Sequence, residues 1–344
     1  MNEQMGDLST ALVYAAMAAY MVAMVAFAVD VSAFGTGTGR DRPRRAAGIA
    51  VATTWLGAGL HLVGIVTRGL AAGRAPWANM YEFTLMFTLF AVAIFLGIQT
   101  SRDVRYVGVL VTLLALLGLG LAVSVLFVRA DGVQPALNSY WLLIHVSVAT
   151  LSTGVLSISA MFSVLQLLKA RHARVPQRSD PVAVGAGGAS AELVDDRAEL
   201  VDDRAEVLDD RARVPAERAA RDVGASPEQE TFVGRLMASL PSSENLERLA
   251  YRLNAIGFVT WTFTLVAGAI WAEHAWGRPW GWDPKETWTF VVWVIYAAYL
   301  HARVTAGWAA ERFAYFALVG FVAVLANFYV VNVFFSGKHS YAGI

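Results

Sequence analysis

Apolar stretches of about 20 residues recur along the chain, the length at which an α-helix crosses the hydrocarbon core of a bilayer. Eight can be read, at roughly 9–33, 46–66, 80–99, 106–128, 140–168, 253–272, 286–302 and 313–335. In lipid, a spanning segment must satisfy its backbone N–H and C=O groups internally, which leaves helices and closed barrels. Runs this long and this apolar select the helix. The expected fold class is therefore an all-α polytopic integral membrane protein of about eight transmembrane helices. A hydrophobic content of 57% agrees, as does a mean hydropathy of +0.50. Abundant Gly and Ala suit helices that pack closely in lipid.

Basic residues orient these spans. With the N-terminus outside, the cytoplasmic flanks hold fourteen: Arg40, Arg42, Arg44, Arg45, Arg102, Arg105, Lys169, Arg171, Arg174, Arg178, Arg248, Arg252, Arg303 and Arg312. The outer flanks hold six: Arg68, Arg74, Arg129, Arg278, Lys285 and Lys338. The positive-inside bias favours this orientation, with both termini outside. The start "MNEQMGDLST" has no basic residue ahead of its apolar run, so the first span is expected to be retained rather than cleaved as a signal.

Three regions follow. Residues 1–169 carry spans one to five, and 249–344 carry spans six to eight with an external loop at 273–286. Between them, 170–248 is a charged cytoplasmic linker. It contains "AELVDDR" at 191–197 and again at 198–204, then "AEVLDDR" at 205–211. The seven-residue period is compatible with a short coiled-coil helix, but three heptads with one narrow stripe are marginal, and a charged linker with repeat expansion is the better reading. A net charge of zero gives no basic surface for nucleic acid. With no cysteine, the chain forms no disulfide and runs no thiol chemistry of its own.

Ionisable residues in or beside a span are rare enough for each to be a functional candidate, with an interhelical hydrogen bond or plain interfacial residence as the competing account. His61 falls in the outer half of span two and His301 near the inner end of span seven. His145 lies near the outer end of span five, and His339 follows span eight. His172 falls in the linker. His274 opens the stretch "HAWGRPWGWDPKETW", which holds Trp276, Trp280, Trp282 and Trp288, four of the chain's eleven tryptophans. Asp283-Pro284-Lys285-Glu286 has the grammar of a helix start: Asp as N-cap, Pro at the first position, Glu completing a capping box. That grammar needs no ligand, and tryptophan also collects at membrane interfaces. The density of tryptophans is harder to explain that way. Gly277 and Gly281 would let a ligand approach the backbone, and aromatic faces stack on flat π-systems. His145 and His339, on the same membrane face, could then flank a porphyrin as axial ligands.

The segment "WGRPWGWDPKE", 276–286, resembles the WWD signature of haem-handling proteins in cytochrome c biogenesis, W-G-x-x-W-x-W-D-P-K-E, with no mismatch. "HLVGIVTRGLAAGRAPWANMYEFTLMF" (61–87), "LIHVSVATLSTGVLSISA", "VVWVIYAAYLHARV" and "FFSGKHSYAG" look like the flanking segments of CcsA-type proteins, also called ResC or, in some bacteria, CcsB. The other WWD families, CcmC and CcmF, fit these flanks less well. The resemblance spans nearly all the membrane part and omits the 170–248 insert.

That resemblance implies haem b as ligand and substrate. It makes His145 and His339 the external axial ligands beside a surface of Trp276, Trp280, Trp282 and Asp283. It makes His301 a ligand within the membrane, with His61 a within-chain candidate for the opposite side. His274 receives no role. It implies a system II cytochrome c synthase in the bacterial cytoplasmic membrane, with its WWD loop external. This chain would deliver haem there for thioether attachment to the C-x-x-C-H motif of apocytochrome c. A CcsB/ResB-type membrane partner with a large external domain would complete the complex, and separate reductants would keep the substrate thiols reduced. Two alternatives stay open: a haem exporter or chaperone that attaches nothing, and a quinone- or partner-binding scaffold whose tryptophans form only an interface belt.

Overall fold

The structure is a computed structural model that describes residues 3–34, 45–130, 139–174 and 232–338. His339 and the heptads at 191–211 lie outside the described residues. All described regular structure is helical. α1 (Glu3–Phe34), α2 (Arg45–Ala72) and α3 (Met80–Ser101) come first; a 3-10 turn (Arg105–Val107) then leads into α4 (Gly108–Ser124). α5 (Tyr140–Arg174) is followed by the short α6 (Phe232–Ser239), α7 (Ser243–Trp276) and α8 (Pro284–Thr305). α9 (Ala310–Leu325) continues through a π-helical turn (Ala326–Val330) into α10 (Val331–Phe334). α5 therefore runs past 169, and α6 and the start of α7 fall before 249, so helix occupies both ends of the stretch expected to be linker.

Seven helical segments are long and apolar enough to cross a bilayer. The segment expected as span seven, α8, is also long at 22 residues, about 33 Å at 1.5 Å per residue. Its Trp288, Trp293, Tyr296, Tyr299, His301 and Arg303 leave it outside those seven. It packs against α7 and α9 with Val292 and Tyr296 buried. The chain is a multi-pass membrane protein.

α5 is the central helix: 83% of its most apolar window is buried, against 33–56% for the other six segments. It packs against α3 on one side and against α7 and α9 on the other. A first apolar core joins α1 to α4 with the inner face of α5, and a second links α5, α7, α8 and α9 through Leu156, Trp261, Val292, Tyr296 and Val324. Polar side chains bind the central helix to α7: Ser152 Oγ donates to the Gly257 carbonyl and Ser159 Oγ to the Ala250 carbonyl, both at 2.9 Å. Such hydrogen bonds and small residues are the usual means by which helices associate in lipid, where apolar burial gives little net drive.

Local sequence sets the helix ends. Asn79 caps α3 by accepting from Glu82 N at 2.9 Å. Gly277, at φ 68°, ends α7 in the left-handed conformation that glycine adopts at least cost. The capping box read in "DPKE" is present at the start of α8. One end of the bundle gathers the α2–α3 connection, the start of α5, the α7–α8 connection and the π turn. Arg68 Nη2 donates to the Val128 carbonyl at 2.6 Å, which draws the α4–α5 connection to the same end.

Candidate functional site

That end holds an open cavity of about 1230 Å³, mouth included. Its walls come from four parts of the chain, and His145, Trp271, Trp280 and Lys285 are all among the lining residues.

His145 sits early in α5 and its placement is over-determined. Its Nδ1 lies 2.9 Å from the Thr264 carbonyl. A carbonyl only accepts, so Nδ1 carries the proton and the ring lone pair is on Nε2. Metal-ligating histidines are commonly oriented this way, with one nitrogen donating to a carbonyl and the other directed to the metal. Trp271, 2% exposed, stacks nearly parallel to the imidazole at 10° and 6.0 Å. Residue 268 on α7 must be small: a Cβ there would lie 2.8 Å from His145 Cε1 and 3.0 Å from Nδ1. Thr264, Gly268 and Trp271 recur at helical spacing on the α7 face that meets α5. No motif in the sequence singles out Thr264 or Gly268.

The tryptophans divide. Trp280 lines the cavity. Trp276 stands behind it, edge-on to Trp271 at 5.0 Å. Trp282 turns outward, 69% exposed, and holds φ 58°, unusual for a bulky residue. Neither Trp276, Trp282 nor Asp283 is among the lining residues. Asp283 instead caps α8 through Lys285 N at 3.4 Å and accepts from Lys338 N at 2.8 Å. Glu286 Oε2 accepts from Gly281 N at 2.7 Å and Asp283 N at 3.1 Å. Gly277 and Gly281 have duties other than admitting a ligand. Gly277 is a helix terminator, and the face of Gly281 is covered by the Arg278 guanidinium.

The opposite wall consists of Trp77, Asn79 and Phe83, with Phe83 stacked on Phe328 at 3.9 Å. It is held from behind by a buried carboxylate. Glu82, fully buried, accepts from Arg68 Nε at 3.1 Å, Arg74 Nη1 at 2.8 Å, Arg74 Nη2 at 3.1 Å and Ala78 N at 2.9 Å. In the sequence Arg68 and Arg74 stand out only as topology markers, and Glu82 does not stand out at all. The available signal was an acidic residue inside an apolar run. The π turn also lines this side. Asn327 Nδ2 donates to Thr289 Oγ1 at 3.2 Å, and the Asn327 carbonyl accepts from Lys285 Nζ at 2.8 Å. Irregular turns of this kind occur often at functional sites.

The two intramembrane histidines are not brought together. His61 is fully buried where α2 meets α1, its ring edge-on to Tyr20 at 6.1 Å and Nδ1 3.4 Å from the phenol oxygen. His301 is exposed near the far end of α8, which packs against α7 and α9. His274 is exposed, and its Nδ1 donates to the Ile270 carbonyl of its own helix at 2.8 Å.

Comparison with known proteins gives a consistent result. The family model described as cytochrome C assembly protein matches residues 77–339. The chain is similar to the cytochrome c biogenesis protein CcsA of Gloeobacter violaceus, 34% identical over 294 residues, covering 82% of this chain and 83% of that protein. CcsA of Synechococcus elongatus is 34% identical over 301 residues, covering 86% of each chain. CcsA of Nostoc punctiforme is 32% identical over 293 residues, covering 80% and 82%. Among solved structures, the cytochrome c haem lyase CcmF superposes with a TM-score of 0.57 at 14% identity. The match covers 94% of this chain and 46% of that one, a likeness of fold alone.

Proposed function

The chain belongs to the cytochrome c assembly family, as a CcsA-type member with a role in cytochrome c maturation, and from that premise we propose that it binds haem at the cavity and presents it for attachment to apocytochrome c. The observation that carries this reading is His145, whose Nδ1–H···O=C bond to Thr264 fixes the tautomer an axial ligand needs. The cavity residues fit haem in other respects. Trp280 offers an aromatic ring to the cavity, and Trp271 backs the His145 imidazole. Trp77 Nε1 is a buried donor, and Asn327 Oδ1 a buried acceptor, without a partner among the described residues.

His145 and His339 are the two external axial ligands in this proposal, with the WWD loop on the outer face of the bacterial cytoplasmic membrane. His301 is a ligand deeper in the membrane. Its exposure on α8 supports a site shared with a second membrane protein of the CcsB/ResB type, whereas the burial of His61 against Tyr20 does not favour it as the opposite ligand. Haem supplies two vinyl groups as electrophiles. Each substrate cysteine thiol adds across one, forming a C–S bond at the ring-proximal carbon and leaving its proton on the terminal carbon. No net electron transfer is required. What this chain contributes is position, holding the reacting groups close and oriented, with bis-histidine ligation tuning the iron.

The test is the optical spectrum of the complex purified with its partner. Wild type should carry low-spin haem. His145→Ala combined with His339→Ala should lose external haem and holocytochrome formation, with partial rescue by imidazole. Normal cytochrome c maturation in that double variant would overturn the assignment. Co-expression with an apocytochrome in a host lacking its own maturation system separates a synthase, which yields thioether-linked haem, from a carrier, which binds haem only.

A further inference from the structure

We infer that Lys285, the lysine of the WWD motif, is the cation that receives a propionate carboxylate of haem, with the Trp77 indole N–H as a second donor. The corner where the α2–α3 connection, the π turn and the start of α8 meet then sets which way round the porphyrin lies. This rests on the reading above that the cavity holds haem.

Lys285 and Glu286 are the only Lys, Arg, Asp or Glu among the described residues that line the cavity, and they are committed differently. Glu286 is compensated by its own loop: Oε2 accepts from Gly281 N at 2.7 Å and Asp283 N at 3.1 Å, and Oε1 lies 3.5 Å from Arg278 Nη1. Lys285 has no such counter-charge, since among the described residues no carboxylate forms an ion pair with it. Its Nζ donates to the Asn327 carbonyl at 2.8 Å, and an ammonium carries three N–H donors. A neutral donor would satisfy that carbonyl equally. A full charge beside an apolar cavity is costly unless an opposite charge meets it. Packing fixes where this charge stands. Nζ lies 5.2 Å from the centre of the Phe328 ring, and Phe328 stacks on Phe83 at 3.9 Å. That stack joins the π turn and α8 to the wall that carries Trp77. Trp77 Nε1 is itself a buried donor with no partner among the described residues. A cation and an N–H thus meet the cavity from two adjoining walls, and a carboxylate is the acceptor that matches both. The two carboxylates of haem share one edge of the macrocycle, and its vinyl groups lie across the ring. An anchor at Lys285 therefore leaves the vinyl half free for the substrate thiols.

The test compares haem with haem dimethyl ester, which keeps the iron, the ring and the vinyl groups but carries no free carboxylate. Both are titrated into the haem-free complex of the full chain with its partner, in a His301→Ala background that removes the deeper site. Dissociation constants are read from the Soret absorption. Lys285→Met should lose roughly tenfold in affinity for haem, the factor expected for one hydrogen bond between charged groups, and should keep its affinity for the ester. Lys285→Arg should retain the preference for haem. Trp77→Phe, which leaves Lys285 and its bond to Asn327 in place, should lose roughly threefold for haem alone, as fits a neutral donor. The ester favours detergent micelles, so the decisive quantity is the change in the haem-to-ester ratio between variant and parent. Equal losses for both ligands in Lys285→Met reduce the side chain to a brace for the π turn and overturn the inference. An unchanged ratio in both variants overturns it as well, while the haem reading of the cavity stands. A parent complex that binds neither ligand overturns that reading itself. If Lys285→Met does not assemble, Lys285→Gln and Trp77→Phe carry the same comparison.

Discussion

Glu82→Ala should be among the most damaging single substitutions at the cavity end of the bundle. The carboxylate is fully buried and accepts four N–H bonds, from Arg68, from two nitrogens of Arg74 and from Ala78. Its removal leaves the Arg68 guanidinium, whose side chain is 3% exposed, with the Val128 carbonyl as its one remaining acceptor among the described residues. Breaking a buried ion pair from one side costs about 3–5 kcal/mol, because the remaining charge is uncompensated. At about 2–4 °C per kcal/mol for a chain of this class, the melting temperature should fall by roughly 6–20 °C. Arg74, 14% exposed, can turn to solvent and adds less. The decisive comparison is Arg68→Met with Glu82→Met. Replacing both partners of a buried pair by apolar groups is often neutral or stabilising, so the double variant should regain most of the loss. Thermal unfolding of the detergent-solubilised complex measures both. A single variant within about 1 kcal/mol of wild type, or a double variant no better than the single, would refute the reasoning. Because the same carboxylate holds Ala78, haem retention should fall with stability in Glu82→Ala, read as haem per protein after purification.

Gly268→Ala should separate ligand geometry from stability. Alanine is the better helix former by about 1 kcal/mol, yet its Cβ would crowd His145 at 2.8 Å, so the variant should unfold no earlier than wild type while its iron spectrum changes. Trp282→Gly relieves the left-handed backbone at φ 58° and should stabilise by about 1 kcal/mol. If the 69% exposed ring serves the apocytochrome, holocytochrome yield should drop while haem stays bound, and an unchanged yield would assign the ring to the interface alone.

The sequence alone was enough to read a polytopic helical bundle, seven of whose described segments are long and apolar enough to cross a bilayer, and to place the start of α8. Both depend on short-range physics. A helix in lipid must satisfy its own backbone, which forces long apolar runs, and a capping box is complete within four residues. The motif from Trp276 to Glu286 was legible because its residues are contiguous, and His145, read as a candidate from its place near the end of its span, lines the cavity. The different duties within that motif were not legible. Trp280 faces the cavity while Trp282 faces away, and nothing in their spacing distinguishes them, because the loop conformation sets where each ring goes. Gly281 read as room for a ligand and proved to be covered by Arg278.

Tertiary structure alone decided which polar residues meet. The bond from His145 to Thr264 spans 119 residues and that from Asp283 to Lys338 spans 55, so no local pattern encodes either. Glu82 lies only 14 residues from Arg68, but its burial depends on α2, α3 and the α4–α5 connection converging. Hydropathy determines that these helices insert. The partners of each buried polar group follow from packing, since only contact between helices puts a donor within reach of an acceptor once water has been excluded.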